Sequence, residues 1–249
     1  MLLLGGGVVV LGASVLGGMT GFGFSLVCAP LLLLAGMPLT EVVVVNLAIG
    51  LATRFLALVQ LRRSVNRRRS AFLALGCVPG LLAGTVVRDL VGGDVLKAVA
   101  GAVAVAVALQ LLLRPPAAPA DDAEPPSGVA IGAVGALGGF LGITTSLNGP
   151  PPVILLSRQH AAPREFVADL AVFFVVCNAL ALGVLAVAGG VSPDRVGPAL
   201  AAWLPGALIG NVVGLALGTR LPVAVFRSLT LVLVVVTGLA TVASALGGL

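Results

Sequence analysis

Arg54 is the residue whose chemistry most needs explaining. It sits inside an apolar run, Leu39 to Leu61, and the positions one helical turn away on either side (50, 51, 57 and 58) are Gly, Leu, Ala and Leu. On a helix rising 1.5 Å per residue it lies about 12 Å deeper than Arg62, the first residue of the basic segment that follows. An unpaired cation at that depth is expensive and tends to be functional. Two readings stand. The side chain snorkels to the headgroups, or its guanidinium holds an oxyanion bidentately. Neutral donors cluster at two further places. Thr20 and Ser25 flank Gly21 and Gly23 in GGMTGFGFS (17–25), and Thr144, Thr145, Ser146, Asn148 and Gly149 fall in GITTSLNGPPP (142–152). Asn46, Asn178 and Asn211 are amides inside apolar runs, placed either to contact a ligand or to tie helices together.

Other chemistry is thinly represented. The three cysteines are odd in number, lie in apolar runs and form no C-x-x-C, so neither a disulfide framework nor a zinc site is indicated. His160 is the single histidine and cannot form a metal cluster alone. No nucleophile–base constellation, P-loop or pair of deep carboxylates is present. The expectation is a protein that is not an enzyme, with no catalytic residues, no cofactor and no metal, and with no nucleotide motif to drive it. Asp169, beside Arg164 and Glu165, reads as a structural ion pair in preference to a proton site. Glu41 reads as a charge at a helix start.

The elements that position these residues follow from composition. The chain has 249 residues, 59% hydrophobic and 9% charged, with a net charge of +5 and a mean hydropathy of +1.19. Soluble domains carry about 25% charged residues, so a water-soluble monomer, a nucleic-acid binder and a disordered chain are excluded. The basic residues lie between apolar runs, where the positive-inside rule accounts for them. The N-terminal MLLLGGGVVV has no basic region or A-x-A site and reads as a first membrane segment.

The expected fold is an all-α integral membrane protein of two inverted-topology repeats. Each repeat is a broken re-entrant helical hairpin plus three transmembrane helices. The first repeat, 1–113, has its hairpin at 2–36, as two short helices over about 2–18 and 25–36, and its spans at 39–61, 71–87 and 95–113. RRSVNRRR (62–69) reads as a basic loop. A Pro-rich acidic linker occupies 114–127. The second repeat, 128–249, has its hairpin at 128–157 and its spans at 166–189, 199–217 and 223–246. Duplication rests on PGLLAGTVV (79–87) matching PGALIGNVV (205–213) and on TEVVVV (from 40) matching REFVAD (from 164), a register that sets Arg54 opposite Asn178. Hairpins that dip and return put ten basic residues inside and three outside; single crossings would give seven and six. The bias selects inverted repeats with both termini outside.

Non-helical backbone cannot face lipid, so both breaks must be buried in protein or line a wet cavity. Short-helix N-termini with free N–H groups would then greet an anion. Glycines 5–18 read as packing residues; Gly21, Gly23 and Gly149 read as parts of the site. The candidate substrate-binding set is Thr20, Gly21, Gly23, Ser25, Asn46, Arg54, Thr144, Thr145, Ser146, Asn148, Gly149 and Asn178.

GMTGFGFSLVCAPLLLLAGMPLTEVV and GGFLGITTSLNGPPPVILLSRQHAAPREFVADLAVFF resemble the two signatures of the sulfite exporter TauE/SafE family, and the basic segment and duplicated layout are similar too. The resemblance implies a multi-pass permease of the cell membrane that exports small sulfur-containing anions: sulfite, sulfoacetate or related organosulfonates. It also implies that Thr20, Gly21, Gly23, Ser25, Asn148, Gly149 and Pro150 line the substrate route. Phe22 and Phe24 depart from the G-x-G-G-G run of many members and narrow the polar surface. A permease for another small anion and an anion channel are the alternatives. The expected partners are a small anion and the lipid bilayer, with no nucleic acid. A second copy of the chain, as a homodimer, is a further candidate.

Overall fold

A computed structural model describes residues 2–113, 126–159, 162–188, 193–218 and 223–246. Most of the linker, His160, Gly189 and Arg220 lie outside the described residues. All regular structure among the described residues is helical. The order is α1 (Leu2–Thr20), α2 (Gly23–Leu34), α3 (Leu39–Leu61), α4 (Arg67–Leu90), α5 (Gly93–Leu113), α6 (Gly128–Thr145), α7 (Pro150–Arg158), α8 (Pro163–Val187), α9 (Pro193–Gly218) and α10 (Val223–Leu246). Six of the described helices, α3, α4, α5, α6, α8 and α9, are long and apolar enough to cross a membrane. Large apolar side chains such as Val8, Leu75, Leu82, Val86 and Ile209 point outward. In water such a surface would aggregate; against lipid it is the stable arrangement. The chain is a multi-pass membrane protein.

Both runs with a glycine-rich centre are interrupted. α1 ends where Gly21 takes φ +84°, with Gly21 N–H donating to the Gly17 carbonyl at 2.9 Å. The chain then reverses, so that Val27 and Leu31 of α2 return alongside Val9, Ala13 and Leu16 of α1. α6 ends at Ser146, a left-handed C-cap at φ 60° whose N–H donates to the Gly142 carbonyl. At 18 residues, α6 is longer than a half-helix and is one of the six helices of spanning length.

The basic segment departs from the loop expected. Arg62–Ser64 form a single 3-10 turn, and Arg67 to Arg69 are the first turn of α4, capped by Asn66, whose side chain accepts from Arg69 N–H at 3.1 Å. Cations at a helix N-terminus oppose its dipole, and carboxylates from α8 offset that cost. Asp169, fully buried, accepts from Arg69 Nε at 2.6 Å, from Ser70 Oγ at 2.8 Å and from Asn66 N–H at 2.8 Å. Glu165 lies 3.6 Å from Arg69 Nη2. Asp169 is thus held in a structural ion pair.

Glycines set how closely the helices approach. Gly76 and Gly80 of α4 lie against the backbone of Gly132 and Ala136 of α6, and Gly84 lies against Phe140, so the two helices run parallel. Gly206, Gly210 and Gly214 of α9 meet Leu11 and Val15 of α1, and Gly6 meets Trp203, again in ascending order. These are small-residue contacts of the kind that bring membrane helices together. They are also the two matched sequence segments, doing the same job in each half. α3 packs on α8, and α5 packs on α10.

Contacts also sort the ends of the bundle. At one end Arg69 and Asn66 meet Asp169, and Phe72 meets Gly128. At the other, Arg88 Nη2 donates to Thr40 Oγ1 at 2.8 Å and Arg195 lies 3.7 Å from Glu41.

Candidate functional site

The two interruptions meet. Phe22, Phe24, Ser25 and Leu26 from the first face Leu147, Asn148, Gly149 and Pro150 from the second. Gly50 and Arg54 of α3 and Phe174 and Asn178 of α8 complete the walls of a narrow cleft. In the register that aligns Thr40 with Arg164, Gly50 corresponds to Phe174 and Arg54 to Asn178. The same two positions of each half therefore line the cleft.

Arg54 supplies its charge. The residue is 6% exposed. Nη2 donates to the Gly17 carbonyl at 3.1 Å, one of the carbonyls at the C-terminal end of α1. The guanidinium carbon lies 5.8 Å from the Phe174 ring centroid, a cation–π distance. No carboxylate among the described residues lies within ion-pair distance of it. A guanidinium has five N–H donors, and the Gly17 bond uses one. Arg54 is thus pinned at one edge with its charge uncompensated. Its side chain is tied to the end of α1.

The amides form a second pole. Asn148 Nδ2 donates to Asn178 Oδ1 at 2.6 Å and lies 3.5 Å from Cys177 Sγ. This ties the second interruption to α8.

Of the residues expected to bind substrate, Ser25, Arg54, Asn148, Gly149 and Asn178 line the cleft, and the others stand behind it. Thr20 Oγ1 donates to the Leu16 carbonyl at 2.8 Å and accepts from Gly23 N–H at 2.9 Å, joining the end of α1 to the start of α2. Gly21 provides the turn, and Gly23 lies against Thr20. Thr144 and Thr145 donate back to the carbonyls of Phe140 and Leu141, at 2.7 and 2.8 Å. Asn46 Nδ2 donates to Ser146 Oγ at 3.0 Å, bracing the second interruption from α3.

The two interruptions are chemically unequal. α2 begins with residues that carry N–H groups, although that of Gly23 is given to Thr20 Oγ1. α7 begins Pro150-Pro151-Pro152, which have no N–H to give. Its N-terminus presents a dipole without a row of donors, a correction to the expectation that both helix starts would offer free N–H groups. Leu26, Gly50, Leu147 and Phe174 also line the cleft, beyond the residues expected from sequence. The register that paired Arg54 with Asn178 contains the signal for Gly50 and Phe174, one turn earlier on each helix. Among the described residues no group of three or more His, Cys, Asp or Glu side chains is placed to hold a metal ion.

Fold and site together define a helical membrane protein that keeps an uncompensated cation at a cleft between two interrupted helices. The chain belongs to the sulfite exporter TauE/SafE family, whose profile matches residues 6–241. That family is one of membrane transporters. No curated protein and no solved structure matches the chain.

Proposed function

We propose that the protein is a secondary transporter that exports small sulfur-containing anions, such as sulfite, sulfoacetate or a related organosulfonate, across the cell membrane by alternating access. One observation carries the reading: Arg54 is buried, has no carboxylate partner among the described residues, and faces a cleft walled also by the two helix interruptions and α8. An anion entering there would compensate a charge that the protein leaves open. The neutral donors of Ser25, Asn148 and Asn178 suit the remaining oxygens.

Inverted repeats supply the motion. The parallel pairs α1 with α9 and α4 with α6 cross between the halves, so each hairpin leans on a helix of the other half. The approaches of Gly50 to Asn178 and of Arg54 to Phe174 run in opposite order along α3 and α8, which fits antiparallel helices. That pattern is expected if α1 and its counterpart α6 enter from opposite faces. The end contacts support the same topology. The basic segment 62–69 shares one end of the bundle with the start of α8, as re-entrant hairpins require. A rocking of one half against the other about this cleft would expose Arg54 to each side in turn.

The test is flux into proteoliposomes. Arg54→Ala removes a charge-assisted contact of about 1.5–3 kcal/mol, so sulfite or sulfoacetate flux should fall at least about tenfold. Arg54→Lys, which keeps the charge and loses the fork, should be intermediate. Unchanged flux in a folded Arg54→Ala protein would remove the anchor from the mechanism.

A further inference from the structure

We infer that the cleft selects anions carrying a single negative charge on an apolar body, and that Phe22 and Phe174 are the residues that set this preference. The inference rests on the reading of the cleft as the substrate site and narrows the class of substrate it takes, ranking singly charged sulfonates and hydrogensulfite ahead of the doubly charged sulfoacetate named above.

Charge is the first observation. Among the described residues lining the cleft, Arg54 is the only one with an ionisable side chain. Its charge is already shared with the Gly17 carbonyl and the Phe174 ring. The other polar lining groups, Ser25, Asn148 and Asn178, are neutral. Of the two helix starts at the cleft, α7 opens with three prolines and the first N–H of α2, that of Gly23, is already given to Thr20 Oγ1, so neither brings a second cation. One positive charge balances one negative charge. A second negative charge would be carried into a buried site with nothing to offset it, and burying an unpaired charge is costly.

Surface is the second observation. Phe22 projects from the first interruption and Phe174 from α8, and they flank Gly149 from two sides. A methyl at Gly149 would sit 3.4 Å from Phe174 Cζ and 3.6 Å from Phe22 Cβ. Phe24 and Leu147, buried at 5% and 1% exposure, extend the same apolar wall. A ligand whose oxyanion meets Arg54 must rest the remainder of its body on these rings. A body of methylene groups gains by that contact, whereas a carboxylate at the same place loses its hydration and finds no donor.

A panel of anions tests this directly. The purified full-length protein is titrated with methanesulfonate, ethanesulfonate, propanesulfonate, sulfoacetate, sulfate and propionate, and the rise in unfolding temperature gives an apparent affinity for each. Affinity should rise about fourfold per methylene along the alkanesulfonates, the value of burying one CH₂, and propanesulfonate should bind more tightly than sulfoacetate. Phe22→Ser should flatten the chain-length dependence while methanesulfonate still binds. Phe24→Ser provides the same readout if Phe22→Ser does not fold. If sulfoacetate or sulfate binds as well as propanesulfonate, the single-charge rule is overturned. If propionate binds and no sulfonate does, the rule stands and the sulfur-anion reading fails. If no anion stabilises the protein, both fail.

Discussion

Gly50 and Asn178, both in the walls of the cleft, approach so closely that a methyl group on Gly50 would sit 2.8 Å from Asn178 Nδ2. Nothing else lies within 4 Å of that methyl. Asn178 is also the residue whose Oδ1 receives the bond from Asn148. A side chain at position 50 therefore presses on the amide that joins α8 to the second interruption.

Gly50→Ala is expected to lower transport several-fold while leaving the fold intact, because the atom it meets is the end of a side chain and can yield. The measurement is flux in proteoliposomes set beside the unfolding temperature of the same preparation. A variant with normal flux would show that the Asn178 amide need not hold its position. Gly183→Ala on α8, where an added methyl meets nothing within 4 Å, is the control and should leave both quantities near the parent values.

Gly80→Ala should behave in the opposite way. The added methyl would run into the carbonyl oxygen of Ala136, which belongs to helix backbone and cannot rotate aside. α4 and α6 would have to move apart along a contact that Gly76 and Gly84 also make. Overpacking of this kind costs about 1–3 kcal/mol, so the unfolding temperature and the yield of folded protein should fall. Gly12→Ala on α1, with no atom within 4 Å of the new methyl, should be tolerated. A Gly80→Ala protein as stable as its parent would show that the helices do not need this approach.

Much of this architecture was legible because membranes leave few solutions. Apolar runs of about twenty residues must be helices, so α3, α4 and α5 could be read with boundary shifts of a few residues. The shifts have physical causes. α4 starts earlier than its apolar run because Asn66 caps it and Asp169 compensates its arginines, a partnership across 100 positions that no local pattern reveals. The interruptions were visible as glycine clusters. Which of their residues face the cleft was not, because that depends on where the turn falls. One residue's difference moves a hydroxyl from the cavity to the helix's own carbonyls, as at Thr20, Thr144 and Thr145. The three prolines of α7 were in plain view, and their consequence follows from the missing N–H alone.

Asp169→Asn should be strongly destabilising. The carboxylate accepts from Arg69, Ser70 and Asn66, and its replacement leaves the Arg69 guanidinium, itself nearly buried, without its main partner. Breaking a buried pair from one side costs about 3–5 kcal/mol. Replacing both partners with apolar residues, as in Arg69→Met with Asp169→Leu, should recover part of that loss. Unfolding of the two variants in the same detergent gives the comparison. An Asp169→Asn protein that unfolds at the parent temperature but no longer transports would move Asp169 from structure to coupling.

The end contacts of the bundle make a prediction that separates the two topologies by labelling alone. Arg63 and Arg164 are exposed near the cluster of Arg69 with Asp169, whereas Gly92 and Asp194 are exposed at the end where Arg195 approaches Glu41. In a background with Cys28, Cys77 and Cys177 replaced by alanine, single cysteines at these four positions report the side on which each lies. A membrane-impermeant maleimide should label Gly92→Cys and Asp194→Cys in intact cells, and should reach Arg63→Cys and Arg164→Cys only after permeabilisation. The decisive position is 164. If the segment from 128 to 158 dips and returns, Arg164 shares the inner face with Arg63. If that segment crosses once, Arg164 lies outside, its neighbour Asp169 cannot meet Arg69, and the inverted arrangement of the halves is lost with it.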